Sequence, residues 1–138
     1  MQHDAFIGQV QGRARLESRG AAERATRASL ETLAERVPAP VAESIAAQLP
    51  QELGEHLRRV EFALDEPDTG VRMTRAEFFD RVAEREGVPA PRAAHDARTV
   101  IEVADEATGG TVSAKVVPVL DDELAGVLLS GSQGGAHS

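Results

Sequence analysis

The chain has no cysteine, no tryptophan and no tyrosine, and Lys115 is its only lysine. Without cysteine there is no disulfide framework, no zinc–thiolate centre and no thiol nucleophile. The absence also fits a cytoplasmic protein. Phe6, Phe62, Phe78 and Phe79 are the whole aromatic complement, which leaves little for stacking on nucleic-acid bases. No segment approaches the roughly 20 apolar residues of a membrane span. Met1-Gln2-His3-Asp4 has no basic region ahead of an apolar run, unlike a signal peptide. The net charge of -8 disfavours nonspecific binding to nucleic acid or anionic lipid. The expectation is a cytoplasmic chain with neither a nucleic-acid nor a membrane partner.

What is present is a sequence that reads as written twice. Phe6, Val10 and Leu16 match Phe78, Val82 and Val88 at an offset of 72. Arg27, Leu30, Glu31 and Glu35 match Arg98, Ile101, Glu102 and Glu106 at an offset of 71, as does Leu49-Pro50-Gln51-Glu52-Leu53 against Leu120-Asp121-Asp122-Glu123-Leu124. One deleted residue reconciles the offsets, and it falls in a loop, where deletions are tolerated. At 138 residues the chain is one domain, or two small units sharing a core. Each unit alone is small enough to be marginal.

Apolar spacing predicts helices throughout. His3 or Asp4 caps a helix reaching about Arg15, with Phe6, Val10 and Ala14 on one face. Ser18-Arg19-Gly20 breaks the chain, and a longer helix covers about 21–36. There Glu23/Arg27 reads as a favourable i,i+4 pair and Glu31/Glu35 as a repulsive one. Pro40 to Leu49 gives a third helix, and Pro50 starts a fourth carrying Leu53, Leu57 and Val60. Residues 61–73 form a turn-rich linker whose flanks, Val60 to Leu64 and Val71 to Met73, alternate as in a short hairpin or as extended chain. Thr74-Arg75-Ala76-Glu77 fits a capping box for the next helix. A long helix follows over about 91–107, stopped by Gly109-Gly110. Residues 112–120 are rich in β-branched types and read alone as a strand, but their repeat partner reads as helix and decides the matter, with fraying at Pro118. Asp121 caps a last helix through Leu129, and Ser130 to Ser138 reads as a disordered tail.

The carriers Phe6-x-x-x-Val10, Ala22-Glu23-Arg24-Ala25-Thr26-Arg27, Leu49-Pro50-Gln51-Glu52-Leu53 and Glu77-Phe78-Phe79-Asp80-Arg81-Val82, together with the duplication, resemble one bacterial and archaeal family. That family is known as domain of unknown function 2267, and the resemblance covers about residues 3–129. Ala104-Asp105 and Asp121 depart from its pattern. The resemblance implies an all-helical fold of two repeats and brings no catalytic residues with it.

Candidate sites are few. His3, His56, His95 and His137 are never i,i+4 from one another, so no helical metal pair exists. His56 follows Glu52 and Glu55 and reads as a member of an exposed ion pair. Asp65-Glu66-Pro67-Asp68 and Asp121-Asp122-Glu123 lack calcium-loop spacing. No nucleophile elbow, phosphate loop or dinucleotide fingerprint occurs. No metal, cofactor or catalytic residue is expected.

The expected fold is all-α: two tandem repeats of about four helices each, residues 1–60 and 74–129, packed as one compact domain about an approximate two-fold. The expected function is a non-enzymatic interaction or adaptor protein, with stress response as a setting, acting through an unidentified protein partner or self-association. The candidate surface is Arg13, Arg15, Arg19, Arg24, Arg27, His56, Arg58 and Arg59. Arg13, Arg15, Arg19, His56 and the 61–73 linker are singled out as having few or no counterparts in the other half. The alternative is a small-molecule module with an apolar pocket between the repeats, lined by residues such as Phe6, Leu33, Phe78, Phe79 and Ile101.

Overall fold

The structure is a computed structural model that describes residues 1–61 and 70–133. Eight α-helices and no strand occur among these residues. They are α1 (His3–Ala14), α2 (Arg19–Arg36), α3 (Ala39–Ala46), α4 (Gln51–Glu61), α5 (Arg75–Glu86), α6 (Ala90–Ala107), α7 (Thr111–Val116) and α8 (Asp122–Leu128). None of these helices is long and apolar enough to cross a membrane.

The two 18-residue helices, α2 and α6, pack against each other at the centre. Each also carries the short first helix of the other half: α1 lies on α2 and α6, and α5 lies on α6 and α2. α3 meets α7, α4 packs on α2 and α3, and α8 packs on α6. The i,i+4 stripes explain this arrangement. Phe6, Val10, Leu30, Leu33, Ile45, Leu53, Leu57, Phe78, Val82, Val100, Ile101, Leu124 and Leu128 are all fully buried in one continuous core. Each large side chain taken from water contributes about 1.5–3 kcal/mol. One core therefore holds both halves.

Local signals account for most helix ends. Ser18 caps α2, its Oγ accepting from the Ala21 N–H at 3.1 Å, so the helix begins at Arg19, two residues before the predicted start. The capping box at Thr74 forms in both directions: Glu77 N–H donates to Thr74 Oγ1 at 3.1 Å, and Thr74 N–H donates to Glu77 Oε1 at 2.9 Å. Asp121 Oδ1 accepts from the Leu124 N–H at 2.7 Å and starts α8. α1 begins without a side-chain cap, and Asp4 sits in its first turn instead of before it. The β-branched stretch after Gly110 is helical over Thr111–Val116 and stops short of Pro118, whose ring cannot continue a helix.

The matched ends of α1 and α5 both use the left-handed region. α5 ends at Gly87, with φ 79°. At the matched end of α1 stands Arg15, with φ 57°, the one non-glycine residue with positive φ among the described residues. Its N–H bonds the Gln11 carbonyl as the Gly87 N–H bonds that of Ala83. An arginine there carries backbone strain that a glycine does not. Farther on, Gly70 has φ 69°, and a Cβ there would lie 2.5 Å from the Arg36 carbonyl oxygen. The chain thus returns from the linker directly over the end of α2, where the Val71 N–H bonds the Glu35 carbonyl at 2.8 Å.

The hairpin read from residues 61–73 lies largely outside the described residues, and so does the tail from residue 134. The first part of that expected tail packs on α6. Ser132 Oγ donates to Glu102 Oε2 at 2.9 Å, and Arg98 Nε donates to the Gly131 carbonyl at 3.4 Å.

Candidate functional site

The predicted arginine surface separates into distinct groups. Arg13 leaves its own half altogether: its guanidinium grips Glu106 at 2.8 and 2.9 Å and Glu102 at 3.0 Å on α6. It has a counterpart in Arg85, which reaches Glu35 at 3.2 Å and Glu31 at 3.9 Å on α2 and donates to the buried Thr32 hydroxyl at 2.8 Å. The Glu31/Glu35 pair is therefore no unrelieved repulsion. Each glutamate pair receives an arginine from the other half, an arrangement that helix periodicity alone cannot display. Arg13 serves as a fastening between halves and has a match, contrary to the sequence reading.

Arg19 holds two carboxylates, Asp4 at 2.6 Å and Glu23 at 3.1 Å. Glu23 is thus bound by Arg19, and not by Arg27 as helix spacing suggested. Arg58 pairs with Glu43 at 3.0 Å, tying α4 to α3. Arg59 reaches Glu31 at 3.2 Å and approaches His56 Nδ1 at 2.8 Å. His56 is half-buried beside Arg59, in place of the expected ion pair with Glu52 or Glu55; burial first, then the charge of Arg59, holds its pKa below the usual imidazole value. Arg15 caps α1.

Arg24, Arg27 and His56 come together. They line a cavity of about 460 Å³ between α1, α2 and α4, with His3, Ile7, Gly20, Glu23, Thr26 and Glu52 completing the wall. A second cavity of about 440 Å³ adjoins it through His3 and Glu52. The first turns of all three helices border this region: His3 and Asp4 on α1, Gly20 on α2, Gln51 and Glu52 on α4. α1 and α4 each carry an acid in the first turn, whereas α2 has none. A helix start is the positive end of the peptide dipole. Thr26 is fully buried in the wall, and its Oγ1 has no hydrogen-bond partner among the described residues. Arg27 and Glu52 make no ion pair among those residues, and the Arg24 guanidinium lies over Gly20.

The sequence reading missed another polar group, at the junction of α1, α5 and α6. Asp96 is fully buried and Glu86 nearly so. Arg92 Nε donates to Asp96 Oδ2 at 3.2 Å, and its Nη2 reaches back to the Ala14 carbonyl at 3.0 Å. Burial, together with the hydrogen bond and negative charge of Asp96, pushes the Glu86 carboxyl well above the usual glutamate range. Two acids 10 positions apart across a helix break gave no periodic signal; only the fold brings them together. They are enclosed, which suits a packing role better than contact with a substrate.

Phe6, Leu33, Phe78 and Ile101 are fully buried and Phe79 nearly so, so the side chains expected to line an apolar pocket fill the core instead. Among the described residues no group of three His, Asp or Glu side chains is placed to hold a metal ion.

Comparison with protein families gives a match over residues 3–127 to the one described as uncharacterized conserved protein (DUF2267). No curated protein matches the chain.

Proposed function

The chain belongs to the DUF2267 family, and from that footing we propose that it is a non-enzymatic interaction module of the cytoplasm. In this reading it is a duplicated helical scaffold that meets a protein partner through the α1/α2/α4 face of its first half. Three correspondences support the duplication and an approximate two-fold. α1 lies on α6 as α5 lies on α2. Arg13 enters Glu102 and Glu106 as Arg85 enters Glu31 and Glu35. Arg15 and Gly87 end matched helices in the same left-handed conformation.

The observation that carries the recognition surface is the cleft itself. It brings together the buried Thr26 hydroxyl and the Arg27 guanidinium, which have no partner and no ion pair among the described residues, beside the imidazoles of His3 and His56. Buried polar atoms normally find partners, so an orphan in the wall of a cavity points to something that binds there. The matched positions in the second half are Ala94, Ala97 and Val127 in place of Glu23, Thr26 and His56.

Capture from native lysate with wild type and with Arg24→Glu/Arg27→Glu tests the proposal, with light scattering to follow self-association. A partner retained by wild type and lost by the variant is the expected result. Equal capture by both proteins, with no self-association in either, removes the first-half face from consideration.

A further inference from the structure

We infer that the α1/α2/α4 cleft recognises an oxyanion, a carboxylate or phosphate group presented by its partner. This rests on the reading of that face as the recognition surface, and it names the chemistry of the recognised group.

The donors line one cavity, and among the described residues Thr26 Oγ1 and the Arg27 guanidinium have no partner. Thr26 Oγ1 is buried without a partner in the cavity wall. Arg27 stands outside every ion pair among the described residues, one turn along α2 from Arg24. Gly20 brings the open first turn of α2 to the cavity without a side chain in the way, and Ser18 satisfies only the Ala21 N–H. Helix starts and guanidinium groups together form a receptive site for negative oxygens. An acid at this rim would oppose such a guest, and the fold has engaged two of the three: Arg19 holds both Asp4 and Glu23. Glu52 is the one acid of this rim that no arginine holds among the described residues. The overall charge of -8 gives no general attraction for anions, so such binding would be local to this cleft.

The second half provides an internal control. Arg98 matches Arg27, but its guanidinium is turned to the Gly131 carbonyl. The matched hydroxyl is absent at Ala97.

The test is an NMR titration of the full chain with sodium phosphate and, separately, sodium acetate, with ionic strength held constant by sodium chloride. The expected result is saturable shifts at the Gly20–Arg27 amides and the His3 and His56 rings. Affinity should fall about tenfold or more, the loss of one charged hydrogen-bonding partner, in Arg27→Gln and stay unchanged in Arg98→Gln. Saturation by phosphate alone assigns a phosphoryl group, and saturation by acetate alone assigns a carboxylate. Shifts that stay linear with both salts, or that are equal around Arg98, overturn the inference. Thr26→Ala gives a second arm should Arg27→Gln misfold, because the matched position is already alanine; it too should weaken binding. If neither anion binds while Arg24→Glu/Arg27→Glu still loses its partner, the oxyanion assignment falls and the recognition surface stands. If an anion binds as described while that variant keeps its partner, the protein-docking reading falls and the anion site stands.

Discussion

The two halves of the molecule share a frame and differ at one edge. In both, a first helix ends in the left-handed region, sends an arginine across to a glutamate pair and packs against two long helices. At the α1/α2/α4 edge, however, the first half has a polar cleft, whereas the matched α5/α6/α8 edge is built differently. Ile7 is replaced by Phe79, Thr26 by Ala97, and His56 by Val127. Where His3 and Glu52 border open space, Arg75 and Glu123 approach each other at 3.8 Å. The difference teaches that a similar frame of helices can carry different edges: the first-half edge sets the Thr26 hydroxyl, without a partner among the described residues, beside a cavity, where the second half has alanine.

Substitutions at corresponding positions test how alike the two halves are. The largest effect belongs to the shared core. Phe6→Ala and Phe78→Ala should each cost about 3–5 kcal/mol, because both rings are fully buried. Urea unfolding with similar losses supports equivalent roles, and a loss confined to one variant breaks the parallel. Next are the fastenings between halves. Arg85→Ala should cost about 1–2 kcal/mol and Arg13→Ala less, after allowance for solvent screening. The glutamates around Arg85 are each 17% exposed, against 28% and 51% around Arg13, and Arg85 also loses Thr32. Equal Tm values for the two variants would remove this distinction.

A third prediction concerns the enclosed acid pair, found in the second half alone. A glutamate whose folded-state pKa is raised holds its proton more tightly when folded than when unfolded. Stability from this group is therefore fully present below 4.5 and is lost as pH rises towards about 9. Glu86→Gln mimics the protonated form, so its Tm should exceed that of wild type by about 5 °C at alkaline pH and match it near pH 4. A constant difference across pH would show that Glu86 is not the titrating group. The smallest effect is at the cleft. Thr26→Ala removes a buried hydroxyl without a partner and should change stability by about 1 kcal/mol or less, in the stabilising direction. A clear loss of stability would mean that the hydroxyl is satisfied within the folded chain and is not free for a guest.

Much of this was legible in one dimension. The helical stripes, the capping box at Thr74, the cap at Asp121 and the helical reading of the stretch after Gly110 all follow from spacing and local chemistry. The candidate site was legible only in part: Arg24, Arg27 and His56 were singled out, but as members of a broad cationic surface. Arg13 and Arg58 proved to be engaged in tying helices together, because guanidinium groups reach far enough to serve other elements. Thr26 had no signal at all; its neighbours on α2 are mostly small and buried, and a threonine among them looks like any other core residue.

By itself, the sequence determined the elements. Apolar recurrence at i,i+4, proline and glycine punctuation and local caps act within a few residues, so the chain carries them wherever it goes. Tertiary structure alone decided the partners: that Glu31 and Glu35 would receive Arg85, that Glu86 and Asp96 would share one enclosure, and that Arg27 and Thr26 would stand beside open space. Those outcomes depend on which helix faces cross, and pairings between residues far apart in the chain are set by the packing of the whole core.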